Sequence, residues 1–213
     1  MDITWLGHSG FRLKSKEATV IIDPPQFEGK PGTLEADLVT VSHAHEGHAN
    51  LASIKGDDYL VFRRPGEYES KDVLVTGVST FHDTERGEKL GKNTVFVIEM
   101  ESMTVCHLGD LGVGLTTEQT EALGRVDILL IPVGGVTTIN ATKAVETINS
   151  LEPKVVIPMH YREDDNTRAD LDPLEKFLGE MGVKDLVPQQ RITLTRSTLP
   201  TETQIMLMEV RRG

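Results

Sequence analysis

Val39-Thr40-Val41-Ser42-His43-Ala44-His45-Glu46-Gly47-His48 is a short β-branched apolar run that ends in three histidines, spaced two and then three residues apart. β-Branched residues suit a pleated, buried strand. A strand that feeds a loop of imidazoles aims several nitrogens at one point, and imidazole is the commonest protein ligand for transition metals near neutral pH. A His-x-His pair alone does not define a metal site. The decision falls to what the rest of the chain delivers.

Upstream, residues 3–13 read as an extended segment broken by Gly7 and Gly10, and residues 18–23 as its antiparallel neighbour, stopped by Pro24-Pro25. Residues 26–35 are rich in Gly, Pro and charge and read as loop. The strand over 37–42 is expected to be buried on both faces. Downstream, strands are expected over 59–63, 72–80, 94–99 and 103–108, the last two paired around Glu101-Ser102. Residues 65–69 read as a solvated turn carrying Glu67 and Glu69, and residues 83–92 as an exposed, mobile loop. The later chain alternates strand (127–133, 155–158) with helix (117–123, 141–151 and a stripe of Leu174, Phe177, Leu178 and Met181). Strands over 191–195 and 203–210 close it. Strands early and strand–helix alternation late imply sheet packed on sheet with helices outside.

The 213 residues carry no fixed-period repeat, low-complexity tract or linker, and residues 1–213 are expected to form a single domain. A net charge of −11 weighs against a general binder of phosphate backbones, so no nucleic-acid partner is expected. One cysteine, Cys106, excludes an internal disulfide, and on its strand it reads as a small buried apolar residue. No basic, apolar leader opens the chain and no apolar run is long enough to span a bilayer. A cytoplasmic protein with no membrane partner is the expectation.

Of the seven histidines, His43, His45, His82 and His160 follow or end an extended apolar segment, and Asp110 does the same in Cys106-His107-Leu108-Gly109-Asp110. Polar ligands in loops held by a rigid sheet are where sites in layered folds lie. In this order the chain resembles the metallo-β-lactamase superfamily over nearly the whole fold. Its details are similar to the stand-alone hydrolases that include ascorbate-6-phosphate lactonase-like enzymes. Asp23 in Ile21-Ile22-Asp23-Pro24 matches the first motif, and His43-Ala44-His45-Glu46-Gly47-His48 matches H-x-H-x-D-H at all but one position. His82, Asp110 and His160 match the remaining ligands.

The resemblance implies an α/β fold, a four-layer αββα sandwich of two similar halves with the site at one edge. It implies a metal-dependent hydrolase in which metal-bound hydroxide attacks an ester, lactone, amide or phosphoester of a small anionic metabolite. His43, His45 and His82 would hold the first metal, and a water acidified to a pKa of about 7 would fill its open position. Asp110 would bridge to a second metal held also by His48 and His160, and Asp110 and His160 are the residues expected to take part in catalysis. Asp23 would order the histidine loop without touching metal. Zn2+ suits the nitrogen-rich set, with Mn2+ or Fe2+ admitted by the bridging carboxylate.

Gly47 stands where the motif has an aspartate, and glycine brings no ligand. One strong site and a weak or empty second one are therefore expected, with Glu46 as a candidate substitute ligand. Weaker candidates for the rim and for substrate are His8 between two glycines, Gly135 and Thr137 before the helix capped by Asn140, and Arg162 and Arg168 after His160. His107 reads as a core histidine. A catalytically impaired binding protein on the same scaffold and a nucleic-acid-processing hydrolase are the competing readings, and a homo-oligomer is left open.

Overall fold

Val20, Ile21 and Ile22 set the layering. Side chains alternate along a strand, and Val20 and Ile22 join the large central core while Ile21 joins a smaller cluster with Leu6, Val39, Val41 and Ile54. A strand buried on both faces belongs inside a sandwich rather than at its surface. The computed structural model describes residues 1–26, 33–163 and 170–211. In chain order its strands are β1 (Asp2–Gly7), β2 (Gly10–Lys14), β3 (Thr19–Ile22), β4 (Leu38–Thr40), β5 (Leu60–Phe62), β6 (Gly66–Ser70), β7 (Val73–Phe81), β8 (Lys92–Met100), β9 (Met103–His107), β10 (Ile128–Pro132), β11 (Val155–Met159), β12 (Ile192–Thr193) and β13 (Gln204–Ile205). They form a six-stranded sheet, β12-β1-β2-β3-β4-β5, and a seven-stranded sheet, β13-β11-β10-β9-β8-β7-β6.

Each sheet is antiparallel on one side and parallel on the other. β1 to β3 form a meander, after which β3, β4 and β5 run parallel; β6 to β9 form a second meander, and β9, β10, β11 and β13 run parallel. Between β8 and β9, Glu101 and Ser102 have φ of 50° and 60°, the left-handed pair that a tight two-residue hairpin requires. Parallel neighbours need crossovers, and helices supply them in the second half. These are α1 (Thr117–Leu123), α2 (Ala141–Leu151) and α3 (Leu174–Glu180). A capping box between Thr116 and Gln119 starts α1, and the Asn140 side chain accepts from Lys143 N to start α2. α2 buries Ala141, Ala144, Ile148 and Leu151 and packs on β10 and α3.

The α/β sandwich implied by the sequence is therefore present. Its outer layer on the six-stranded sheet, among the described residues, is irregular chain on either side of β4 with one 3-10 turn at Leu51–Ser53, and Leu34, Ala36, Ala49, Leu51 and Tyr59 pack on the smaller cluster.

Two local expectations are corrected, and the exposed loop over 83–92 gains a structural organiser. Residues 65–69 are not a turn but the edge strand β6, because Tyr68 stacks on Phe62 at 4.3 Å while Glu67 and Glu69 stay exposed. Charges on an edge discourage further strand pairing. The segment after Phe81 is organised by Asp83, whose carboxylate accepts from the backbone N–H of Glu85 (2.8 Å), Gly87 (2.8 Å), Lys89 (3.1 Å) and Leu90 (2.7 Å). Those N–H groups, Leu90's foremost, pull its pKa down to about 2. Residues 191–195 and 203–210 yield only the two-residue β12 and β13, since Thr195 caps a 3-10 turn over Arg196–Thr198 between them.

Candidate metal centre

Strand ends build the site. His8 follows β1, Asp23 follows β3, the His43–His48 loop follows β4, His82 follows β7, Asp110 lies just past β9 and His160 follows β11. Among the described residues three groups of ligand atoms result, each with its members within 4.8 Å of one another: His43, His45 and His82; His8, His48, Asp110 and His160; and, on the far side of the rings, Asp23 with His43 and His48. Asp110 joins the first two. Its Oδ2 lies 3.2 Å from Nε2 of His82, 3.2 Å from Nε2 of His160, 3.3 Å from Nε2 of His48 and 3.8 Å from Nε2 of His43.

The imidazoles are aimed by their other nitrogens. His48 Nδ1 donates to Asp23 Oδ2 at 2.9 Å, and His82 Nδ1 donates to the Thr137 carbonyl at 2.9 Å. Ser42 Oγ donates to Asp23 and so accepts from His43 Nδ1 at 2.9 Å. In each ring Nδ1 is tied up as the donor, so Nε2 is the nitrogen turned to the centre. Asp23 also accepts from Ser42 N at 2.7 Å, so both its oxygens are occupied in positioning the loop.

Burial sharpens the fit to a cation. His43, His48, His82, Asp110 and His160 are all buried, and among the described residues His43 Nε2 and His160 Nδ1 have no hydrogen-bond partner, while His160 Nε2 faces only Asp110. A buried polar atom left unsatisfied costs roughly 1–3 kcal/mol, which a metal ion at this point would remove. The donor set fits a divalent transition metal: imidazole nitrogens around one carboxylate, with any ring proton on the metal-facing nitrogen displaced when the ion binds. Burial pushes the His43 imidazole down to about 3, so it stays neutral. Burial also disfavours charge on His48, but Asp110 and Asp23 outweigh it and raise this pKa to about 10. Burial likewise works against ionised Asp110, yet His160 and His48 hold it well below the usual carboxylate range. The centre thus keeps an anion in its middle.

Residues not marked by the sequence hold this anion in place. Asn93, fully buried in β8, donates through Nδ2 to Thr80 Oγ1 (2.8 Å) and the Leu108 carbonyl (2.9 Å), while its Oδ1 accepts from Asp110 N (3.0 Å). Ser9 Oγ donates to Asp110 Oδ1 at 3.4 Å. Gly109 has φ of 56°, and a Cβ there would lie 2.3 Å from Asn93 Oδ1, so the Leu108-Gly109-Asp110 turn needs glycine. The one sequence signal for Asn93 was a polar amide at the head of an apolar run.

The remaining candidates fall in varied places. His8 lies inside the second ligand group rather than on a free rim. The N–H groups of Gly135 and Thr137 are used within their own loop, donating to the carbonyls of Ile139 and Gly135. Thr137 reaches the centre through its carbonyl on His82. Arg162 is exposed, its N–H on the Asp172 carbonyl, and Arg168 lies outside the described residues. Glu46 is exposed and belongs to neither ligand group. His107 is fully buried, its Nε2 donating to the Ser9 carbonyl at 2.8 Å, and Cys106 is buried, which pushes its thiol pKa up.

A fold of two mixed sheets with histidines and a central aspartate at one edge defines a class, and the comparisons agree with it. The domain model described as the beta-lactamase superfamily domain matches residues 2–160. The chain belongs to the metallo-β-lactamase superfamily. It is similar to a UPF0173 metal-dependent hydrolase of Thermoplasma acidophilum, 30% identical over 217 residues that cover 89% of this chain and 96% of the relative. A second such hydrolase, from Thermococcus onnurineus, is 29% identical over 209 residues, covering 84% of this chain and 93% of the relative. Among solved structures, a Thermotoga maritima protein of the same superfamily is 41% identical, with a TM-score of 0.82 and 99% of each chain covered.

Proposed function

We propose that this chain is a cytoplasmic, single-domain metal-dependent hydrolase that acts on an ester, lactone, amide or phosphoester of a small anionic metabolite, with zinc as its metal. His43, His45 and His82 hold the first ion; His48, His160 and Asp110 hold the second, and Asp110 is shared. The observation that carries this reading is the single oxygen, Asp110 Oδ2, set 3.2–3.8 Å from four imidazole Nε2 atoms.

A divalent metal in such a site supplies Lewis acidity and an acidified water. The chain's own residues supply the rest. Asp23, Ser42 and the Thr137 carbonyl fix the rings of His48, His43 and His82, so the donors do not reorganise during reaction. His45 is exposed and His8 half-buried while the other donors are buried, which gives substrate its approach over His45 and His8. With one carboxylate among so many imidazoles, the loaded centre keeps surplus positive charge, which favours an anionic substrate. The net charge of −11 weighs against a polymer of phosphates, and no helix among the described residues is long and apolar enough to cross a membrane.

The test is turnover of a generic aryl ester, lactone and aryl phosphodiester by purified protein, before and after chelation and after return of Zn2+, Mn2+ or Fe2+. Turnover that the chelator abolishes and one of these ions restores is the expected result. Protein that takes up metal and turns over none of them would be a binding protein on the same scaffold.

A further inference from the structure

His8 is drawn into the centre by features that a turn residue does not need. A Cβ built on Gly47 would lie 3.3 Å from His8 Cδ2 and 3.5 Å from His8 Nε2. The His8 ring therefore stands where a side chain at position 47 would extend. Its centroid is 4.2 Å from that of His160 and 4.9 Å from that of His48, and one of its nitrogens falls within 4.8 Å of the ligand atoms of His48, Asp110 and His160. The backbone bends to put it there. His8 has φ of 52°, an uncommon left-handed conformation for a residue with a side chain, and such strain persists only where the surroundings enforce it. Here they do: the His8 carbonyl accepts from Trp5 Nε1 (3.0 Å) and His160 N (3.2 Å), and His8 N donates to Glu163 Oε1 (3.2 Å). Next to it, the Ser9 carbonyl is held by buried His107.

We propose that His8 is the fourth ligand of the second metal and takes the place of the carboxylate that Gly47 lacks. The inference rests on the metal-centre reading above. The exchange is reciprocal: an aspartate at 47 would crowd the imidazole of His8, and glycine at 47 admits it. It also changes the chemistry. The second ion is then held by three imidazoles and the shared Asp110, one negative charge fewer than with an aspartate at 47. Nitrogen-rich coordination with little anionic oxygen favours Zn2+ or Co2+ over Mn2+.

Titration of the full-length apo-protein with Co2+, followed by visible absorption and by bound-metal analysis, tests this without reference to activity. Wild type takes up two equivalents. His8→Asn, chosen because asparagine tolerates left-handed backbone, keeps the first equivalent and weakens the second at least about tenfold, at the low end of what even supporting groups around a metal contribute. Adding Gly47→Asp to His8→Asn restores the second equivalent. His8→Gly, which accepts φ of 52° without steric cost, gives the same loss, and the retained first equivalent shows that either variant is folded. A second equivalent bound as tightly by His8→Asn and His8→Gly as by wild type would overturn the inference, as would a wild type that binds one equivalent only. Wild type that binds no Co2+ at all would instead overturn the metal-centre reading itself.

Discussion

The two halves of the metal centre are assembled in different ways from similar parts. The first group, His43, His45 and His82, draws on one loop after β4 and one strand end, with His43 and His82 fixed by Ser42 Oγ and the Thr137 carbonyl. The second, His8, His48, Asp110 and His160, collects its members from the ends of four strands, two in each sheet. Backbone strain separates them too: His8 and His160 in the second group have φ of 52° and 50°, and Asp23 beneath it 41°, while His43, His45 and His82 have ordinary backbones. Both groups bridge the two sheets, but four separate strand ends must meet in the second, which relies on backbone geometry, whereas two of the three donors of the first come from one loop by sequence spacing.

Substitutions can break this contrast, beginning with the residue both halves share. Asp110→Asn leaves four buried imidazoles around a neutral amide, and both ions are expected to bind at least about a hundredfold more weakly by titration. Loss of one ion alone would mean that Asp110 does not bridge. His82→Ala should remove the first equivalent and leave the second within a few-fold of wild type, measured by bound-metal analysis. Asp23→Ala removes the acceptor for His48 Nδ1, and the second ion should weaken by about 10–100-fold with the first, which feels Asp23 only through Ser42, less affected.

The smallest effect is expected away from the donors, at the loop that follows His82. Asp83 has its pKa lowered to about 2 by backbone N–H groups. An unperturbed aspartate titrates near 3.9, so the stabilisation from this group is fully present above about pH 4 and is lost as pH falls towards 2. Thermal melts of wild type and Asp83→Asn should differ at pH 5–7 and converge near pH 2. A difference that persists unchanged at pH 2 would show that ionised Asp83 is not what holds residues 85–90.

The same contrast explains how much the sequence disclosed. The order of β-runs before histidines, and Asp110 after β9, carried the resemblance to the superfamily, which implied the sandwich and six expected ligands; each of those signals is local, an apolar strand and then a polar residue. The helix over 141–151 was legible for the same reason, with Asn140 before it and Pro153 after. What stayed hidden is set by contacts distant in sequence. His8 and Gly47 are separated by the whole of β2 to β4, so no spacing rule joins the missing side chain to the ring that fills its space. Asn93 positions Asp110 from 17 residues away. β6 reads as a turn until Tyr68 is seen stacked on Phe62, and Asp83 shows as the organiser of the loop after His82 only when the N–H groups of that loop are traced to it. The expectation of a weak second site followed from the missing carboxylate at 47, which left His48, His160 and a share of Asp110, and the proposed His8 ligand alters that count.

Anomalous diffraction from zinc-loaded crystals, recorded on both sides of the zinc edge, tests the central claim most directly. Two peaks are predicted, one against His43, His45 and His82 and one against His48, His160 and the His8 ring, with Asp110 between them. A single peak at the three-histidine group, or a second peak with His8 turned away from it, would contradict the account.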